Sequence, residues 1–326
     1  MSETGSATAP RQASYHGNPV IKEPVWTPEI PWYFFAGGLG GGSAALAWLA
    51  ERAGEEELAR RAWPIALAGV GLSPVLLISD LGRPSRFLNM LRMFKVTSPM
   101  SVGSWLLAAT GTAVGLAAAD ALTDLVPGVV GRVARPAAAA LGLPLSTYTA
   151  ALIAQTAVPA WHEARRELPV VFGAGAAASA GAAATIATPL RHAAAARRVA
   201  LAGAAAELLS VQAMEQRLGE LGEPYHTEQA GTYARVARGL TVGGALLVGA
   251  LGARSRPAAI AGGAMVLAGA ACERWSVFKA GLQSARDPKY TVGPQRERVD
   301  GGRGRGASRR PAAARALAAA REAVAR

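Results

Sequence analysis

The stretch "FFAGGLGGGSAALAWLA", Phe34 to Ala50, decides how the rest of the chain is read. It carries no charge, and five of its six positions 37–42 are glycine: Gly37, Gly38, Gly40, Gly41 and Gly42. Gly38, Gly40 and Ser43 approximate the spacing of a dinucleotide-binding loop. Such a loop needs a strand before it, a helix after it and an acidic residue further on. "PWYFFA" has no strand–turn pattern, and no acid stands where the second strand would end. In lipid, small residues four apart let helix backbones approach closely. Gly37 with Gly41 and Gly38 with Gly42 supply two such pairs, so the stretch reads as a transmembrane helix with a thin-walled face.

Composition extends that reading to the whole chain. Only 17% of the 326 residues are charged, against about a quarter in soluble domains, and the apolar residues come in blocks. A span needs roughly 20 mostly apolar residues, and eight candidates follow one another. They are Trp32–Ala50, Trp63–Asp80, Met100–Leu122, Ala138–Trp161, Leu168–Pro189, Val199–Met214, Leu240–Ala253 and Pro257–Leu282. The fold class expected is an all-α bundle of eight transmembrane helices over 31–295. A polar N-terminal arm (1–30) precedes it and an Arg/Ala-rich tail (296–326) follows, both expected to be disordered in large part. Trp26, Trp32, Trp63 and Trp161 stand at span ends, where aromatic rings meet headgroups. Pro64 and Pro136 read as helix-start prolines, and Pro74 and Pro144 as kinks inside spans.

The formal charge of +12 is uneven, with arginines crowded into the last thirty or so residues. That pattern fits a membrane protein with basic loops and tail, not a nucleic-acid binder. The N-terminus lacks the basic and apolar regions of a secretory signal, so the first apolar segment is expected to direct insertion. With an even number of spans both termini share a side, and the basic tail assigns it to the cytoplasm.

Cys272 is the one cysteine. Disulfides within the chain, an iron–sulfur cluster of its own and cysteine-type zinc sites all need more. His16 falls in the arm, His162 and His192 at span ends and His226 in a loop, so no histidine is placed for bis-histidine haem. Two connections stand out. "RPSRFLNMLRMFKVTSP" sets Phe87, Leu91 and Phe94 on one helix face with Arg86, Arg92 and Lys95 elsewhere, which suits the membrane interface and equally a solvent-facing loop helix. Glu215–Arg238 reads as the longest inner loop.

Ionisable groups at membrane depth are costly and mark function or internal pairing. Asp80 ends the second span, three residues before Arg83. Tyr148 and Gln155 are polar members of the fourth, Glu207 lies near the middle of the sixth, and Glu273 and Arg274 sit inside the eighth. Structural pairing and function remain open for each. A transporter or ion-conducting protein fits such groups as well, although the first and last four spans show no convincing repeat.

The blocks "YFFAGGLGGGSA", "SDLGRPSRFLNMLRMFKVTSPMSVGSW", "STYTAALIAQTAVPAW" and "RWSVFKAGLQSARDPKYTVGPQR" resemble, in order, the NrfD/polysulfide reductase membrane-subunit family from about Pro31 to Arg298. The resemblance implies a haem-free subunit of the bacterial cytoplasmic membrane that exchanges electrons with menaquinone or ubiquinone. It would anchor a four-cluster ferredoxin-like iron–sulfur subunit, itself joined to a molybdopterin catalytic subunit. It places a quinone head among the first four helices, with Asp80, Arg83, Tyr148, Tyr33 and Trp105 as the binding set. Some relatives carry Asn and His early in the first span; Glu29 and Tyr33 are the nearest polar groups here. Gln155, Glu207, Glu273 and Arg274 would then form a proton path.

Overall fold

The computed structural model describes residues 20–123 and 126–296. Most of the expected arm and the tail beyond Arg296 lie outside them. Among the described residues there is no strand. The helices are α1 (Glu29–Arg52), α2 (Glu56–Asp80), α3 (Pro99–Leu122), α4 (Gly128–Ala154), α5 (Pro159–Glu163), α6 (Leu168–Ala187), α7 (Ala194–Leu218), α8 (Glu228–Ala250) and α9 (Arg256–Arg286). Eight of them are long, and their order matches the eight apolar segments. By length and composition α2, α3, α4 and α6 are apolar enough to cross a membrane. The other four long helices fall short for a visible reason. Glycine dilutes α1, and α7, α8 and α9 carry charged groups, which pair across helices inside the bundle (Arg274 with Glu207) and at its surface (Arg238 with Glu215).

The helices begin earlier than apolar counting suggests. The start of α2 takes in Glu56 and Glu57, whose carboxylates suit the positive end of the helix dipole, and Glu57 pairs with Arg61 one turn on at 3.0 Å. Pro64 and Pro136 therefore stand inside α2 and α4, beside Pro74 and Pro144, and not at helix starts. Trp161 is in the short α5, because α4 ends at Ala154. Much of the loop expected over Glu215–Arg238 is helical as well: α7 runs to Leu218, a 3-10 segment spans Gly219–Tyr225, and α8 starts at Glu228. Polar residues lower hydropathy without ending a helix. The α3 start is capped, with Pro99 in the first turn and the Ser98 hydroxyl accepting the Ser101 N–H at 3.4 Å.

In the body formed by Glu23–Ser284, α1 packs against α2, α4 and α6 and is buried around most of its circumference, with Trp32 and Leu49 exposed. Its glycines explain how three neighbours come close at once. A Cβ on Gly40 would stand 2.6 Å from the Val70 backbone nitrogen of α2. One on Gly41 would stand 2.7 Å from Ser146 Oγ of α4 and nearer still to the Gly142 carbonyl oxygen. One on Gly42 would stand 2.8 Å from the Ala176 carbonyl oxygen of α6. Gly38 shares the α6 face with Gly42, whereas Gly37 faces Ser73 of α2 and Gly41 faces α4. The two spaced pairs thus resolve into three contact lines. The connection after α2 is a 3-10 helix, Pro84–Leu91. Phe87 and Leu91 are half-buried, but Phe94 lies past the helix end and is 58% exposed, so the three do not share one helical face.

The described residues outside this body, 20–22 and 285–296, form the other unit. It includes the end of α9 and a helical stretch over 289–296.

Candidate functional site

Antiparallel packing of α1 on α2 and of α3 on α4 brings the start of α1, the end of α2, the start of α3 and the end of α4 to one end of the bundle. Tyr33, Asp80, Arg83, Trp105 and Tyr148 all belong to that end. The Asp80 carboxylate accepts from the Thr27 N–H at 3.0 Å and from its hydroxyl at 2.5 Å, closing the segment before α1 onto the end of α2. Asp80 thus meets Thr27, and no ion pair joins it to Arg83 among the described residues; Arg83 is exposed. Tyr148 donates its hydroxyl to the Pro99 carbonyl at 2.6 Å. The hydroxyl end of its ring stands against Gly103, where any Cβ would overlap it, and the residue stays half-buried. Tyr33 is buried, within electrostatic range of Tyr148. Trp105 is 40% exposed, donates to the Met93 carbonyl at 3.4 Å and meets Phe94 edge-on.

A second polar group lies in the other half of the bundle. The Arg274 guanidinium on α9 reaches Glu207 on α7 at 3.3 Å, donates to the Phe172 carbonyl of α6 at 3.0 Å and covers the Phe172 ring at 4.2 Å. All of these are buried. Gly175 of α6 makes the room: a Cβ there would stand 2.5 Å from Arg274 Nη2. Glu207 and Glu273 line one small cavity with Arg238 and Thr241. Gln155 is not part of this group, for it is exposed at the end of α4. Phe34 of α1 packs on Phe172 with ring centroids 5.8 Å apart, linking the two polar groups through an aromatic seam.

The chain matches the family described as polysulphide reductase, NrfD, over residues 14–221. It belongs to that family. The NrfD match reaches into the N-terminal arm at one end and covers α1 to α7 at the other. It stops before α8 and α9, where the last of the resembling sequence blocks lies. No curated protein matches the sequence. Membership supports a multi-pass membrane subunit of a polysulfide reductase-like oxidoreductase complex, and the outward faces agree. Leu72 and Val75 of α2, Leu143 of α4, Leu209 of α7 and Leu246 of α8 are all exposed, a pattern that suits lipid and not water.

Several residues of this NrfD-family chain carry no distinctive signal in the sequence. Thr27 holds Asp80, Phe172 offers both ring and carbonyl to Arg274, and Gly103 and Gly175 clear space for Tyr148 and for the Glu207–Arg274 pair. At the opposite end Arg135 joins Glu51 at 2.9 Å and Asp120 at 2.7 Å, with the Trp63 indole donating to Glu51 at 2.7 Å. Tyr225, in the connection after α7, donates to the Ala160 carbonyl at 3.1 Å, and burial pushes its hydroxyl above the ordinary tyrosine range.

Proposed function

We propose that this chain is a haem-free, quinone-reactive membrane subunit whose eight long helices cross the bacterial cytoplasmic membrane. It would pass electrons between the quinone pool and a four-cluster iron–sulfur subunit attached to a molybdopterin enzyme. Family membership gives the class. The observation that carries the finer reading is the gathering of two tyrosines, a carboxylate, an arginine and an indole at one end of α1–α4. For the four helices of lower hydropathy, the exposed apolar residues along α1, α7, α8 and α9 support a lipid setting.

The residues present fit a quinone head. When bound, a quinone supplies a two-electron, two-proton couple with two carbonyl acceptors. Tyr148 offers a hydroxyl whose ring is fixed by Gly103 and whose present acceptor is a backbone carbonyl, so its donor can turn to a ligand without leaving a charge unpaired. Asp80 keeps one oxygen on Thr27, which orients the carboxyl and leaves its second oxygen to take or give a proton. Arg83 supplies positive charge where negative charge develops. Trp105 presents a partly exposed ring, and Tyr33 lies buried within electrostatic range of Tyr148.

Complex isolated through a tag on this chain tests the reading directly. Quinol-dependent reduction of the co-purified iron–sulfur clusters is expected to fall in Tyr148→Phe and Asp80→Asn while the subunits still co-purify. Unchanged reduction in both variants rejects the site.

A further inference from the structure

Among the described residues the Glu207–Glu273–Arg274 group has further charged neighbours on one side only. Toward the end where α7 stops and α8 begins, a cavity of about 10 Å³, the room of a single water, is lined by Glu207, Glu273, Thr241 and Arg238. Arg238 is half exposed and reaches Glu215 at 3.0 Å, and His226 stands 3.9 Å from the same carboxylate. Beyond them Gln283 donates to the Thr227 carbonyl and to Glu228. Polar groups therefore continue from mid-bundle to that surface.

Toward the opposite end the charged groups stop, and the polar side chains thin to two buried hydroxyls of α6, Ser179 and Thr185. α7 continues as "VALAGAAA" (199–206), α8 as "VGGALLVGA" (242–250) and α9 comes from "PAAIAGGAMVLAGAA" (257–271), none with a polar side chain. At 1.5 Å per residue the α9 stretch alone is roughly 22 Å of apolar helix. Its neighbours are in backbone contact: a Cβ on Gly203 would stand 2.7 Å from Ala178 Cα, and one on Gly244 would stand 2.7 Å from the Gly262 carbonyl oxygen. In α6 the Thr185 hydroxyl is spent on the Gly181 carbonyl at 2.7 Å. Helices this close leave no column for water.

We propose that Glu207, Glu273 and Arg274, with the cavity beside them, form a proton-exchange site open to a single membrane face, the one carrying Glu215 and His226. The guanidinium of Arg274 is engaged by Glu207 and the Phe172 carbonyl, so Glu273 is the carboxylate left to exchange. The charged groups that act on it are Glu207 and Glu215 of α7, Arg274 of α9 and Arg238 of α8, while Tyr225 and Cys272 feel its charge in turn. α6 contributes the Phe172 ring and carbonyl. In loading, a proton passes from cavity water to a Glu273 oxygen, and that water regains one from the Glu215–His226 side. In unloading the order reverses, and no electron moves. The chain thereby stores and returns protons at one face without carrying them across.

The test needs neither quinone nor partner, so it is independent of the function proposed above. Full-length chain is placed in liposomes in one orientation, and infrared difference spectra follow a pH jump applied to either side. A carboxyl band that disappears in Glu273→Gln is expected to respond to the Glu215 face and to stay silent when the Arg256 face is jumped. Arg238→Met is expected to slow that response. A response from both faces, from the Arg256 face alone or from neither overturns the proposal. Under a potassium diffusion potential the same liposomes are expected to pass no more protons than the Glu207→Gln/Glu273→Gln variant; flux that these substitutions abolish also overturns it. Sidedness is read on the unaltered chain, and size exclusion establishes that Glu273→Gln and the double variant are folded before their spectra and flux are compared.

Discussion

Replacing single glycines of α1 by alanine separates close packing from mere helix weakness. At Gly37 the new Cβ would meet Ser73 Oγ at 3.6 Å, an ordinary contact. At Gly41 it would meet Ser146 Oγ at 2.7 Å and press still harder on the Gly142 carbonyl. Backbone of a facing helix cannot rotate away, so α1 and α4 must separate. Overpacking of this kind costs about 1–3 kcal/mol, while exchanging glycine for alanine inside a helix returns up to roughly 1 kcal/mol. Gly41→Ala should therefore lose on the order of 1–2 kcal/mol, and Gly37→Ala should be neutral or slightly more stable. Gly40→Ala should resemble Gly41→Ala, since its Cβ meets the Val70 backbone nitrogen at 2.6 Å. Thermal loss of the monodisperse, detergent-solubilised chain, followed by fluorescence-detected size exclusion, ranks the three. Equal stability of Gly37→Ala and Gly41→Ala, or the reverse order, refutes the three-line packing of α1.

Gly103→Ala should drive the Tyr148 ring off its bed and reduce quinol-dependent cluster reduction at least as far as Tyr148→Phe, whereas Gly115→Ala, whose Cβ meets nothing, should leave it unchanged; a harmless Gly103→Ala removes the positioning role. Arg274→Met leaves Glu207 buried without its partner and should cost about 3–5 kcal/mol, with much of the loss recovered in Arg274→Met/Glu207→Gln; a double variant no better than the single one in the same thermal assay counts against the pair. Asp80→Ala removes the acceptor of both Thr27 bonds and should loosen the segment before α1, seen as faster hydrogen exchange at the Thr27 amide. Unchanged exchange there would show that other contacts hold the segment.

Periodicity and apolar blocks made the number and order of the long helices legible, because burial in lipid or in a bundle demands apolar length whatever the partners. Helix ends were less legible. Arg132 and Arg135 lie inside α4 and Glu228 opens α8: a charged residue near an interface lets a helix continue, while the same residue lowers hydropathy. Among the site residues, Glu207 and Arg274 were recognisable as costly groups, but their pairing was not, since 67 residues separate them. Gln155, a polar member of the fourth apolar run, comes to lie exposed at the end of α4 because the helix stops at Ala154. The family match supplies what spacing could not, the class of complex to which such a subunit belongs.

The two polar groups make opposite demands on the helices around them. On the proposed function Tyr148 and Asp80 meet a ligand that enters and leaves, which suits their place at helix ends, half-buried and held by Pro99 and Thr27. Glu207, Glu273 and Arg274 must stay ionisable within an apolar bundle, so they sit at mid-length, where α6 gives up a side chain at Gly175 to admit them. Among the described residues their charged neighbours lead back toward the end that carries Tyr148. A carboxylate with access from both faces would make the bundle a leak for protons; access from one face lets it serve chemistry at that face while the potential across the membrane is kept. The alanine- and glycine-rich halves of α6, α7, α8 and α9 therefore act as the seal. Placing a single carboxylate in it, as in Ala204→Asp, is expected to raise passive proton flux in liposomes above that of the unaltered chain. Flux that stays at the level of the unaltered chain, with the variant shown to be folded by size exclusion, would show that close helix packing and not the apolar surface forms the barrier.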